Sequence, residues 1–306
     1  MRRMLHKHIV LGTFFLCLPV FAQQTQEQEF VRRAQQLVRD GKLDEALGVY
    51  KSQTSSAAGN NGAGVALDLL GRTKEAKTYF NRAIELADTP VAKTNARRAL
   101  AMSYAFDNDC ANTAKIEEEV AAYWASVPDR YREGEAYNEA ARVCIEAGDL
   151  DTAEKLYRRG EEAGLKEPNI TPARVALWKF RTEHALARLA ARRGQPEVAK
   201  RHVAAARELL DKNPEMAKDQ EIFYPYLTGY VALYTGDAKT AVADLQKARQ
   251  DDPFIQVLMA QAYEKLGDRD QATALYRKAA ATTAHNPPAA YARPLSVRML
   301  ASASKK

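Results

Sequence analysis

Cysteine is scarce in this chain, three in 306 residues, and tryptophan scarcer still at two. A fold stapled by many disulfides is therefore excluded. No apolar run reaches the roughly 20 residues needed to span a bilayer, the nearest being the short stretch Ile9 to Leu18. Alternation of β-branched residues is also scarce, so no strand pattern competes with helix. There is no long basic run and no interleaved basic and aromatic segment, which removes the footprint of a nucleic-acid binder. Catalytic patterns are equally thin. The segment Gly59-Asn60-Asn61-Gly62-Ala63-Gly64 lacks the Lys-Ser/Thr and the preceding strand of a phosphate loop. His184, His202 and His285 stand apart from one another in sequence and outside any zinc-protease motif. Ser302-Ala303-Ser304-Lys305 matches Ser-x-x-Lys only in a terminal tail, where a nucleophile has no rigid support. Glu117-Glu118-Glu119 reads as a mostly solvated helix face. No enzyme, no cofactor and no metal site is expected. What is present is apolar residues at 46% and a wealth of helix formers, ample for a packed helical core.

The first segment has the form of an export signal. Arg2, Arg3 and Lys7 precede the apolar run, and Pro19 with Val20-Phe21-Ala22 follows it. Cleavage is expected between Ala22 and Gln23. Leu16 ahead of Cys17 does not suit a lipoprotein site, and Arg2-Arg3-Met4-Leu5 lacks the Ser or Thr of a twin-arginine signal. General secretion is the expectation, to the periplasm or beyond the cell. The signal removes three basic residues from a formal charge of +6, so the mature chain is only mildly basic. Cys110 and Cys144 remain, compatible with one disulfide or with two buried thiols.

The body repeats. Glycine, four residues, then alanine recurs at Gly41–Ala46, Gly71–Ala76, Gly148–Ala153, Gly194–Ala199, Gly236–Ala241 and Gly267–Ala272, and Asp109–Ala114 fits with Asp in place of Gly. Four residues after the alanine comes Tyr50, Phe80, Tyr157, Val203, Leu245 or Tyr276, with Glu118 breaking the row. Ala83, Ala121, Ala206, Ala248 and Ala279 follow three later. Such spacing puts one alanine-aromatic-alanine stripe on a helix that starts just after a glycine-capped helix, which is a helical hairpin. Pro90, Pro128, Pro214 and Pro253 fall where second helices should end. Gln53 to Gly64, rich in Ser, Asn and Gly, reads as a linker between the first and second units.

These residues resemble the tetratricopeptide repeat family. The unit Ala260-Gln261-Ala262-Tyr263-Glu264-Lys265-Leu266-Gly267, with Ala272, Tyr276 and Ala279, carries the likeness most clearly, and Gly229, Gly236, Ala241, Leu245, Ala248 and Pro253 repeat it. The resemblance implies an all-α, right-handed α-solenoid of about seven hairpins, with units near 27–53, 57–90, 95–128, 134–167, 180–214, 222–253 and 253–287. Pro287-Pro288 is expected to stop the last unit and Leu295 to Ala303 to cap it. Spacing departs from the family period of about 34 residues, short between Gly41 and Gly71 and long from Gly148 through Gly194 to Gly236. In this family the first helices line the concave face, which projects Asn138, Arg142, Arg181, His184, Arg188, Phe223, Tyr226 and Tyr230 inward. A cationic patch beside an aromatic one suits a protein or peptide partner bearing a carboxylate. The same arginines could instead serve an anionic polymer of the cell envelope. They could also be spent on Glu135, Glu139, Glu146 or Glu183, with the tyrosines belonging to the core. The family's Lys and Asn peptide clamp is not reproduced. In the repeat frame Cys110 and Cys144 fall side by side, so a disulfide between neighbouring units is expected.

Overall fold

A computed structural model describes the backbone of residues 18–303 and the side chains from Glu29 onward. Most of the expected export segment, residues 1–22, therefore lies outside the described residues. Ala22 and Gln23 are described in backbone only, within the first helix.

Helices pair in order along the chain. α1 (Leu18–Arg39) pairs with α2 (Leu43–Lys51), α3 (Ala57–Leu69) with α4 (Thr73–Leu86), and α5 (Pro90–Phe106) with α6 (Cys110–Ser126). α7 (Arg130–Ala147) pairs with α8 (Leu150–Leu165), and α9 (Pro172–Arg192) with α10 (Pro196–Lys212). A short α11 (Pro214–Gln220) and a 3-10 turn (Glu221–Phe223) lead into α12 (Tyr224–Tyr234), which pairs with α13 (Ala238–Leu245). α14 (Pro253–Leu266) and α15 (Arg269–Ala280) make the seventh hairpin, and α16 (Pro287–Ala303) follows it. Among the described residues there is no strand, and no helix is long and apolar enough to cross a membrane.

Local chemistry explains the hairpins. Gly41, Gly71, Gly148, Gly194, Gly236 and Gly267 all sit at positive φ, where an L side chain is strained. An aspartate often follows and caps the next helix, as when Gln271 N–H donates to Asp268 at 3.1 Å. Ala46, Ala76, Ala153, Ala199, Ala241 and Ala272 are all buried, which lets the paired helices approach closely.

The third unit is framed one residue earlier than the sequence suggests. Its left-handed residue is Asn108, at φ 59°, and not Asp109. The core row is consequently Thr113, Glu117 and Val120, all essentially inaccessible to solvent, while Glu118 and Glu119 are exposed. Glu117 is thus a core residue, contrary to the solvated face expected of it.

Three further expectations are corrected. Pro90, Pro214 and Pro253 open helices, and do not close them, because the first helical position needs no N–H and favours the φ that proline fixes. Residues 57–64 are helix and not linker. Their glycines permit close packing: a β-carbon at Gly62 would overlap the Tyr50 ring, and one at Gly64 would lie 2.7 Å from Phe80. The terminal helix begins at Pro287 rather than near Leu295, for the same reason that the other prolines start helices.

Cys110, the first residue of α6, is disulfide-bonded to Cys144 of α7, with Cα atoms 4.7 Å apart. The bond closes a loop across 34 positions, worth about 4 kcal/mol on chain-entropy grounds. Cys144→Ser is expected to lose up to that amount in urea denaturation. Reducing agent should bring the wild type down to the variant and leave the variant unchanged.

Candidate functional site

The first helices of the hairpins make one continuous inner face, tied across neighbours by polar contacts. Arg98 of α5 pairs with Glu139 of α7, and Arg181 of α9 with Glu135 of α7 at 2.5 Å. Arg192 of α9 reaches Glu146 of α7 at 3.0 Å, and Tyr230 OH donates to the same carboxylate at 3.0 Å.

Where this face meets the C-terminal segment it encloses a cavity of about 290 Å³. Seven of the eight residues projected from the sequence line it: Asn138, Arg142, Arg181, His184, Arg188, Phe223 and Tyr226. Tyr230 does not; it is fully buried beneath, in the core shared with Leu258 and Tyr276. The wall is completed by residues that the projection omitted, among them Glu146, Asp252, Phe254, Pro287 and Pro288. Asp252 and Phe254 open the seventh unit, so the period that placed Phe223 also had room for them. The proline pair gave no such signal, because only the tertiary fold brings it here.

The charged side chains of the cavity are in different states. Arg188 is buried, donating to Tyr157 OH at 2.7 Å and to Tyr226 OH at 3.0 Å. Arg181 is held by Glu135, donates to Tyr131 OH at 3.2 Å and lies over the Trp178 ring. Glu146 has its proton affinity raised by burial, against the pull of Arg192 and Arg188. Burial first, then the charges of Arg188 and Arg142, push His184 well below the usual imidazole range, so its ring is neutral at pH 7. Its Nε2 has no hydrogen-bond partner. Arg142 is the exception among these cations. It is exposed and, among the described residues, makes no hydrogen bond or ion pair; its charge reaches Asp252, whose carboxylate accepts from Phe254 N–H at 2.8 Å. Phe223 presents an apolar ring 37% exposed at the rim. The site thus offers one free cation, a neutral imidazole and apolar rings within one hollow. No group of three or more His, Cys, Asp or Glu that could hold a metal ion occurs among the described residues.

His202 and His285 lie elsewhere. His202 Nδ1 is 2.6 Å from Glu183, and His285 Nε2 is 2.8 Å from the buried Asp68 of α3.

Tetratricopeptide repeat models match residues 57–90 and 257–289, near the two ends of the array. The apo form of RapI is similar in fold, with a TM-score of 0.54 and 12% identity over 90% of this chain and 99% of that one. Repeats of a putative kinesin light chain from Podosopora anserina align over 74% of this chain and 94% of that one, at 18% identity and a TM-score of 0.37. No curated protein matches. The glycine-capped hairpins, the buried alanine rows and the two matched units lead to one assignment: the chain carries tetratricopeptide repeats at 57–90 and 257–289, within an all-helical array built of the same kind of hairpin.

Proposed function

We propose that this protein is an exported, non-enzymatic scaffold that holds a protein or peptide partner on its inner face, centred on the cavity beside Arg142. The repeat fold suits protein–protein interaction in general. The observation that carries the specific reading is Arg142, a cation left without an ion pair where its neighbours Arg181 and Arg188 are already engaged. A partner carboxylate supplies the missing charge, and Phe223 and Phe254 receive an adjoining apolar side chain. An anionic polymer needs several free cations in a row, and the pairing of Arg181, Arg188 and Arg192 leaves too few. Export rests on the Arg2, Arg3 and Lys7 signal pattern and accords with the paired cysteines.

The test is capture from a cell-envelope extract by the mature protein and by Arg142→Glu, with circular dichroism verifying equal folding. Arg142 is exposed, so its reversal should leave stability within about 0.5 kcal/mol of wild type. A partner retained by the wild type and lost by the variant is the expected outcome. One retained equally by both places binding away from this cavity.

A further inference from the structure

The C-terminal segment is last in the sequence, yet it docks on the N-terminal half of the array. His285 lies between the rings of Phe80 and Phe106, with centroids 5.5 and 5.3 Å away, and meets Asp68 at a sequence distance of 217 residues. Asp68 is buried and also accepts from Ser103 Oγ at 2.8 Å. Eight residues further on, Arg293 Nε donates to the carbonyl of Leu69 at 2.8 Å. Between these two anchors Ala290 is buried among Leu69, Ala105, Phe106 and Val143. Apart from the adjacent α15, the helices that α16 packs against most extensively are first helices, α5, α7 and α14, with α3 reached through His285 and Arg293. The helix therefore runs inside the groove. Its second half remains on the last hairpin, where Leu295, Met299 and Leu300 pack against the α14–α15 core.

We propose that α16 and the His285 segment before it form an internal occupant of the partner groove. They fill a seat on α3, α5 and α7 built for a helix with a small-residue face and a cationic or imidazole group at its start. The seat has the chemistry of a binding site: a buried carboxylate for a hydrogen-bond donor, two aromatic rings to sandwich a flat group, and an apolar floor that only a small residue such as Ala290 can approach. The polar anchors on the seat are one histidine and one arginine beside a short alanine face, and Arg293 also donates to the carbonyls of Ala280 and Thr282, so the segment can leave the seat while its far half stays on α14 and α15. Pro287 and Pro288 form part of the Arg142 cavity wall, so seating of this segment also sets the shape of that cavity. The inference rests on the groove reading above for its biological purpose, but its test uses this chain alone, so either can fail without the other.

A fluorescent peptide of residues 284–303 is titrated against the full chain and against Ala290→Glu, which expels the resident segment without altering the seat. A parallel variant, His285→Ala with Arg293→Ala, weakens the anchors from the segment side. The tethered segment competes at an effective concentration in the millimolar range, so the wild type should bind the peptide at least about tenfold more weakly than either variant. Hydrogen exchange should show residues 285–293 opening in the wild type before α14 and α15 do. Equal peptide binding by all three proteins overturns the proposal. So does absence of binding by folded variants, or exchange of residues 285–293 only on global unfolding.

Discussion

Replacing Glu117 with leucine is expected to stabilise the protein by on the order of 3 kcal/mol at pH 8. The position is the one that holds Tyr50, Phe80, Tyr157 or Tyr276 in other units, and Glu117 is inaccessible there with neither carboxylate oxygen hydrogen-bonded. Arg98 is near but is engaged by Glu139. Burial, then repulsion from Glu139, raises the Glu117 pKa well above the usual carboxylate range against the opposing pull of Arg98. The sign follows from linkage. The folded pKa exceeds the unfolded one, so the native state holds a proton that the unfolded state releases. The associated stability is fully present below the unfolded pKa and is lost as pH rises through the folded value. The advantage of Glu117→Leu over wild type should therefore shrink as pH falls from 8 toward the ordinary carboxylate range. Urea denaturation at several pH values measures it. A destabilised variant, or an advantage that does not change with pH, would show that Glu117 is not a buried carboxyl.

Arg188→Met is expected to cost on the order of 3 kcal/mol, in contrast to the near-neutral Arg142→Glu. Both residues face the cavity, but Arg188 bridges α8 and α12 through Tyr157 and Tyr226 and adds positive charge near the buried Glu146. Methionine fills much of the space and carries no charge. It leaves the buried Tyr157 hydroxyl and the half-buried Tyr226 hydroxyl without this donor, and it leaves Glu146 to Arg192 and Tyr230 alone. The loss should appear as a lower denaturation midpoint, and any loss of partner binding would be secondary to it. An Arg188→Met protein as stable as wild type would mean that the guanidinium is held more loosely than the tyrosine contacts indicate.

The repeat was legible because its signals are local. A left-handed glycine, a buried alanine and an aromatic one turn later all follow from contacts within or between adjacent helices. The slip at the third unit shows where locality misleads: asparagine also tolerates positive φ, and Asp109 beside it imitated the motif frame while Asn108 occupied it. Prolines were ambiguous because the residue after one helix is often the first of the next. The inward residues Asn138, Arg142 and Arg181 were reachable from the period and the family frame, whereas which cation stays unpaired depends on partners such as Glu135, 46 residues away. Docking of His285 on Asp68 had no sequence signature at all, since nothing near either residue refers to the other.

That long-range contact changes how the array should come apart. In an open solenoid each unit feels only its neighbours, and the two ends melt inward independently. Here the second hairpin and the last helix share one joint, so whatever releases the C-terminal helix also takes support from α3. Folding inherits the same dependence. The earliest hairpins can form as the chain emerges, but the seat on α3 and α5 stays empty until residues 285–293 arrive, and the apolar floor around Phe106 and Leu69 stays uncovered until then. For a chain made from its N-terminus, the final residues to arrive are the ones that cover its first exposed surface.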